Sequence, residues 1–188
     1  MPGKALIFSA PSGSGKTTIV KHLLRNNSDL GFSISASTRD RRGRTEVHGK
    51  DYYFLTPEEF KKKIDHNEFI EWEEVYAGNF YGTLKSEIDR IWKEGKNIIF
   101  DVDIKGGISL KNYFGDKAMA IFVKVPSLEI LKQRLTDRST ESADSISRRL
   151  FKAKFEMTFQ DRFDKVLLNE DLPRSLEEAQ RLYDEFRK

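Results

Sequence analysis

The 188-residue chain contains no cysteine. That excludes a disulfide framework, a thiolate metal site and a cysteine nucleophile. Histidine is nearly as scarce: His22, His48 and His66 are scattered without metal-ligand spacing and read as surface residues. No apolar run approaches the roughly 20 residues that a membrane-spanning helix needs. The opening residues Met1-Pro2-Gly3-Lys4 lead straight into a strand-like run with no signal-peptide pattern, so the expected location is cytoplasmic. Internal repeats and low-complexity segments are also missing. An excess of charge is lacking too: 33 Lys and Arg against 30 Asp and Glu give a net +3, too small by itself to imply a nucleic-acid partner. What remains, 38% hydrophobic and 34% charged residues, suits a single globular domain with a buried core and a highly charged surface.

The most informative stretch is Ser9-Ala10-Pro11-Ser12-Gly13-Ser14-Gly15-Lys16-Thr17-Thr18. It follows an apolar run (Ala5, Leu6, Ile7, Phe8) and precedes helical spacing (Ile19, Val20, Leu23, Leu24). Strand, glycine turn and helix form the context in which a Gly-Lys-Thr sequence becomes a triphosphate-binding loop. Gly13 and Gly15 permit backbone angles that turn successive N–H groups toward one anion, and the helix dipole adds to the same point. Lys16 supplies a mobile charge for the outer phosphates, and Thr17 a hydroxyl for magnesium. Ala10 stands where the general pattern has glycine, which ordinary backbone angles at that position would tolerate. A flexible turn with a surface lysine is the weaker reading, and a nucleoside triphosphate is the expected ligand.

Five apolar runs read as strands of a buried parallel sheet: Ala5–Ser9, Phe32–Ala36, Asn97–Phe100, Ala118–Val125 and Lys165–Leu168. Helical patterns alternate with them, giving an α/β three-layer fold. Thr56-Pro57-Glu58-Glu59 combines proline at the first helical position with a capping-box glutamate. Leu84, Ile88, Ile91 and Trp92 form one helix face that Gly95 ends; Ile146, Leu150, Ala153 and Met157 form another. Ser175 and Glu178 are expected to cap a terminal helix with a face of Leu176, Ala179, Leu182, Tyr183 and Phe186. The core then comprises residues 1–34, 84–133 and 150–188. Residues 35–83 and 134–149 interrupt the alternation and look too polar to fold around cores of their own. Insertions of this kind on a phosphate-binding core tend to be substrate clamps and lids.

Arg39, Arg41, Arg42 and Arg44 cluster just beyond the second predicted strand, at the carboxyl end of the sheet where α/β proteins bind ligands. Guanidinium groups grip phosphate bidentately, and Tyr52 and Tyr81 add phenolic donors. A solvated basic loop and a single-stranded nucleic-acid patch are the competing readings. Beside a triphosphate loop, a second phosphate-bearing substrate is favoured.

Ser35-Ala36-Ser37-Thr38-Arg39-Asp40-Arg41-Arg42, Gly49-Lys50-Asp51-Tyr52-Tyr53-Phe54, Glu68-Phe69-Ile70-Glu71-Trp72, Gly78-Asn79-Phe80-Tyr81-Gly82-Thr83 and Asp101-Val102-Asp103-Ile104-Lys105-Gly106 follow in order. Together with the glycine loop they resemble the successive signatures of the guanylate kinases, over nearly the whole chain. The resemblance implies a P-loop fold with a five-stranded parallel sheet, an inserted GMP-binding segment and a helical lid. It implies transfer of a phosphoryl group from ATP to GMP with Mg²⁺ as cofactor, and small-molecule nucleotides as partners rather than nucleic acid or membrane. A homodimer is compatible with it. Bacterial members commonly carry alanine at the Ala10 position. Gly43 and Glu46 are separated here where relatives have Gly-Glu, which reads as a one-residue insertion.

By that resemblance the loop residues 10–18 bind ATP with Arg138 and Asn169, while Ser35, Arg39, Arg42, Tyr52, Glu71, Tyr81, Thr83 and Asp103 bind GMP. Lys16, Arg39, Arg138 and Arg149 are the expected catalytic residues, with Arg134 a further lid arginine. Arg148 reads instead as part of a solvated helix face. Asp101, at the end of an apolar strand, joins Thr17 near the metal. Chemistry supports Glu71 separately: guanine's pairing edge offers two adjacent donors that match one carboxylate, whereas adenine presents an acceptor at the ring position. Asp103-Ile104-Lys105-Gly106 also fits a GTPase switch, but no Asn-Lys-x-Asp motif follows, and Lys105 is given no role.

Overall fold

Alternating side chains of one buried strand, Ala5–Ser9 (β1), divide the core into two halves. The computed structural model describes residues 3–41, 46–137 and 143–188. After β1 come α1 (Lys16–Asn26), β2 (Leu30–Phe32), β3 (Ala36–Ser37), β4 (Tyr53–Phe54), α2 (Pro57–Asp65), β5 (Phe69–Tyr76) and β6 (Asn79–Leu84). The remainder is α3 (Lys85–Lys93), β7 (Asn97–Val102), α4 (Ile104–Phe114), β8 (Ala118–Lys124), α5 (Leu128–Thr136), α6 (Ala143–Glu156), β9 (Lys165–Leu168) and α7 (Leu172–Phe186). Five strands form one all-parallel sheet in the order β2-β7-β1-β8-β9. Leu6 and Phe8 face α1 and α7 through Ile19, Leu23, Ala179, Leu182 and Tyr183. Ala5 and Ile7 face the other way, toward Ile88 and Ile91 of α3 and Leu110 and Phe114 of α4. Both faces are covered, which is why these strands read as continuous apolar runs.

The run Phe32–Ala36 is not one strand, as its composition suggested. β2 ends at Phe32, and the chain leaves the sheet where the buried Glu87 carboxylate accepts the Ile34 amide at 2.9 Å. Ala36 and Ser37 then enter a second sheet of order β4-β3-β6-β5, in which β3 lies parallel to β4 and antiparallel to β6. The segment 35–83 does have a core: Ala36, Phe60 and Phe69 are buried together with Leu84 just beyond it, and Phe60 and Phe69 stack at 4.4 Å. These residues lie too far apart in the chain to show as one periodic run. A further small nucleus of Val125, Leu131, Leu135 and Ala153 joins α5 to α6.

Capping decides two helix starts. Thr56 accepts the Glu59 amide at 3.1 Å while the Glu59 carboxylate accepts the Thr56 amide at 2.8 Å, the reciprocal box the sequence predicts. α7, however, starts one turn before the predicted Ser175 cap. Asp171 accepts the Arg174 amide at 3.0 Å and Pro173 occupies the first turn. Ser175 is instead buried inside the helix, donating to the Asp171 and Leu168 carbonyls. Among the described residues no helix is long and apolar enough to cross a membrane.

Candidate active site

The carboxyl ends of β1 and β7 meet at the site. β1 runs into the glycine loop, where Gly13 (φ 93°) and Gly15 (φ 89°) take the left-handed angles that let the backbone fold over itself before α1 starts at Lys16. A Cβ on Gly13 would also meet the Leu135 side chain at 2.8 Å, so α5 packs directly under the loop. Lys16 forms an ion pair with Asp101 near the end of β7, and the Thr17 hydroxyl donates to the other Asp101 oxygen at 2.6 Å. Burial pushes the Asp101 carboxyl up, but the Lys16 charge and the bonds from Lys16 and Thr17 outweigh it and hold it below the usual carboxylate range. The strand continues one residue past Asp101 to Val102, and Asp103 then caps α4 by accepting the Gly106 amide at 2.8 Å.

Across the cleft stands the second sheet. Glu71 on β5 pairs with Thr83 on β6, whose hydroxyl donates to the Glu71 carboxylate at 2.6 Å. Burial is the main reason the Glu71 carboxyl rises to about 7; the Asp103 and Glu73 charges add to it and the Thr83 bond opposes it. Two rungs further along, Tyr81 lies edge-on to Tyr52 at 6.1 Å between ring centres. Arg39 stacks over Tyr52 at 4.6 Å and grips Glu46 through two bonds of 2.8 and 2.6 Å. Burial and the neighbouring Tyr81 raise the Tyr52 phenol above its usual value. Arg42 and Arg44 lie outside the described residues.

Loop and second sheet open on a single cleft of about 310 Å³. Residues 10–18 line it with Ser35, Tyr52, Glu71, Tyr81, Asp101, Asp103 and Arg149. Arg149, on α6, reaches back to the Ser12 hydroxyl at 3.3 Å; Arg138 lies outside the described residues. Thr83 is buried behind Glu71. Asn169 sits beneath the loop: it is 3% exposed, its amide donates to the Ser14 carbonyl at 2.6 Å, and it blocks any side chain at Gly15. Arg134 clasps the same region, donating to the Asn169 carbonyl at 2.9 Å and more weakly to Ser14 at 3.4 Å. Its guanidinium therefore engages backbone carbonyls of the loop and the β9 exit.

With this geometry in view, the comparisons with known proteins are specific. A guanylate kinase family model matches residues 2–185. The guanylate kinase of Bacteroides thetaiotaomicron is 50% identical over 99% of this chain and 91% of its own. That of Porphyromonas gingivalis is 48% identical over 97% of each. The crystal structure of guanylate kinase from Anaplasma phagocytophilum superposes with a TM-score of 0.75 at 31% identity, covering 98% of this chain and 85% of that one. The chain belongs to the guanylate kinase family. The reaction of guanylate kinases is phosphoryl transfer from ATP to GMP, and the chain is an ATP:GMP phosphotransferase.

In this guanylate kinase the cleft includes side chains that motif reading passed over. Lys152 and Glu156 follow Arg149 by three and seven residues on α6, so one helix face turns all three toward the loop. Burial raises the Glu156 carboxyl, with Lys152 opposing and Asp103 adding. Glu73 and Val75 follow Glu71 by two and four residues on β5. In both cases the periodicity of the element, applied outward from one recognised residue, was the available signal.

Proposed function

We propose that the glycine loop seats the triphosphate of ATP while the second sheet seats GMP, so that the γ-phosphorus and the GMP phosphate meet between Lys16 and Arg149. The observation that carries this reading is the Glu71 carboxylate, held by Thr83 and lining the same cleft as the phosphate loop. Glu71 accepts from the guanine ring N–H and one N–H of the amine; the Ser35 hydroxyl serves the carbonyl side, while Thr83, whose proton goes to Glu71, sits behind that carboxylate. Tyr52, Tyr81, Arg39 and Arg42 hold the phosphate, and Asp103 braces that side. A GMP phosphate oxygen bonds to the γ-phosphorus as the bond to the bridging oxygen breaks, leaving ADP and GDP. The nucleophile is already an anion, so no general base is needed. Catalysis rests on alignment and on cancelling charge between two polyanions.

Lys16 and Arg149, with Arg138, spread positive charge over the transferred group. The oxygen donors Thr17 and Asp101, 2.6 Å apart, suit a hard cation that takes most of its ligands from phosphate and water. Mg²⁺ held there would neutralise charge on the β- and γ-phosphates. The core carries 35–83 as the GMP-binding segment and 134–149 as the lid, which exclude water on closing. The cytoplasm is the proposed location.

A coupled assay of ADP release tests the assignment, with GMP and AMP as acceptors on the parent and on Glu71→Ala. The parent is expected to use GMP strongly and AMP hardly at all. Glu71→Ala should lose most activity with GMP and most of the base preference. Equal turnover of the two acceptors by the parent would overturn the proposed seat of guanine.

A further inference from the structure

Glu73 is a carboxylate of the cleft that the proposed function leaves unassigned. Residues two apart on a strand point the same way, and Glu71 and Glu73 both line the cleft. Across the ladder Glu71 faces Thr83 and Glu73 faces Tyr81. The two rungs are therefore about 7 Å apart, set by the strand rise. A purine nucleotide with its base on the first rung and its phosphate near the Tyr81 phenol must carry its sugar past Glu73. The two carboxylates are close enough that Glu73 helps push the Glu71 carboxyl up.

An ionised carboxylate can only accept hydrogen bonds. It repels phosphate, and Glu71 already takes the donors of guanine's pairing edge. Apart from the second N–H of the guanine amine, the donors left on the acceptor nucleotide are the ribose hydroxyls. Carboxylate on ribose hydroxyl is the pairing by which dinucleotide-binding folds hold a sugar. Glu73 is also held in place: Lys105, in the first turn of α4, donates to one of its oxygens at 3.2 Å. That bond uses one of the two carboxylate oxygens of a residue that lines the cleft.

We propose that Glu73 accepts from the ribose hydroxyls of the acceptor nucleotide, with Lys105 fixing its carboxylate, and so makes the enzyme prefer GMP to dGMP. The inference rests on the proposed seating of guanine at Glu71. A fully buried site built to bond a hydroxyl rejects the analogue lacking it by 10⁴ or more. The Glu73 side chain is 30% exposed, so water can replace a missing hydroxyl and the preference shrinks to about tenfold.

The test is kcat/KM for GMP, dGMP and AMP on the parent, Glu73→Ala and Glu71→Ala, with melting curves for each. The parent should favour GMP over dGMP about tenfold, and Glu73→Ala should bring that ratio to within about twofold of unity while still rejecting AMP. Because a change in Glu71 ionisation affects both guanine nucleotides alike, the ratio isolates the sugar. Should alanine unfold the strand, Glu73→Val removes the carboxylate with a side chain that suits a sheet and accepts no hydrogen bond. A parent ratio near one, or an unchanged ratio in a folded Glu73 variant, would overturn the proposal. A Glu71→Ala enzyme that still prefers GMP to AMP would instead overturn the guanine seat.

Discussion

The proposed guanine contact of Glu71 has an unfavourable starting point. Its carboxyl, raised to about 7 by burial, is only half ionised at neutral pH in the nucleotide-free protein. The proposed contact needs it fully ionised, because both partner groups on guanine are donors. GMP binding should therefore release a proton from Glu71, close to one per site at about pH 6 and little at about pH 8. Calorimetry in buffers of different ionisation enthalpy measures this release. The same titration on Glu71→Gln removes the contribution of the nucleotide phosphate, which also titrates near pH 6. Equal release by both proteins would refute the assignment.

The raised carboxyl also bears on stability, and the sign follows from its direction. Below the ordinary glutamate value, near 4.5, the carboxyl is protonated in both forms and costs nothing; the penalty on the folded form grows as pH rises from there to about 7 and is constant above it. Glu71→Gln keeps the bond from Thr83 and removes the charge. It should stabilise the free protein by on the order of 2 kcal/mol at pH 8 and have little effect at pH 4.5. Urea denaturation at the two pH values checks this. A carboxylate that weakens the free fold and is needed for the ligand is the pattern of a binding residue.

At the scale of elements, α5 does more than separate strands. Leu131 and Leu135 lie under the glycine loop while Arg134 ties the Ser14 and Asn169 carbonyls together. Arg134→Met keeps the packing and removes the clasp. Because Asn169 still holds Ser14, the expected loss is about tenfold in kcat/KM for ATP, with KM for GMP unchanged. An arginine acting on the transferred phosphoryl would instead cost about 10³ in kcat, so steady-state kinetics separate the two roles. At α2, Thr56→Ala breaks a reciprocal cap and should lower stability by about 1 kcal/mol. The melting point should fall by roughly 2–4 °C with turnover intact.

These elements also show what residue patterns convey. The glycine loop, the Thr56 box and β1 depend on local signals, and each was legible. The start of α7 was not, because Ser175 and Glu178 form a capping pattern one turn inside a helix that Asp171 and Pro173 begin. The break after Phe32 depends on Glu87, more than 50 residues away in sequence, and Arg134 owes its position to Asn169, another long-range partner. Glu73 was hidden by its neighbour, since a strand's period has to be counted out from Glu71 before its facing is apparent.

Over the whole molecule, the cleft is framed by parts with separate cores. The second sheet has its own nucleus around Phe60 and Phe69, and α5 and α6 share another around Leu131 and Ala153. Small independent nuclei let each part shift as a body over the central sheet without exposing the main core. Arg149 joins the α6 nucleus to the loop through Ser12, and the α4 cap at Asp103 joins the central sheet to the Glu71 side, with Gly106 packed beside that carboxylate. In the proposed seating, either nucleotide alone engages one wall of the cleft, and both together engage all of it. ATP or GMP at about a hundred times its dissociation constant should stabilise the fold by about 2.7 kcal/mol, or several degrees in melting temperature. A single molecule carrying adenosine and guanosine joined through five phosphates pays the ordering of the cleft once. At the same multiple of free ligand over the weaker single-nucleotide constant it should raise the melting point by more than the two separate shifts added together. Differential scanning fluorimetry with each nucleotide, the pair and the linked compound measures the comparison. A shift from the linked compound no larger than that from ATP alone would mean that the two walls do not close on a common ligand.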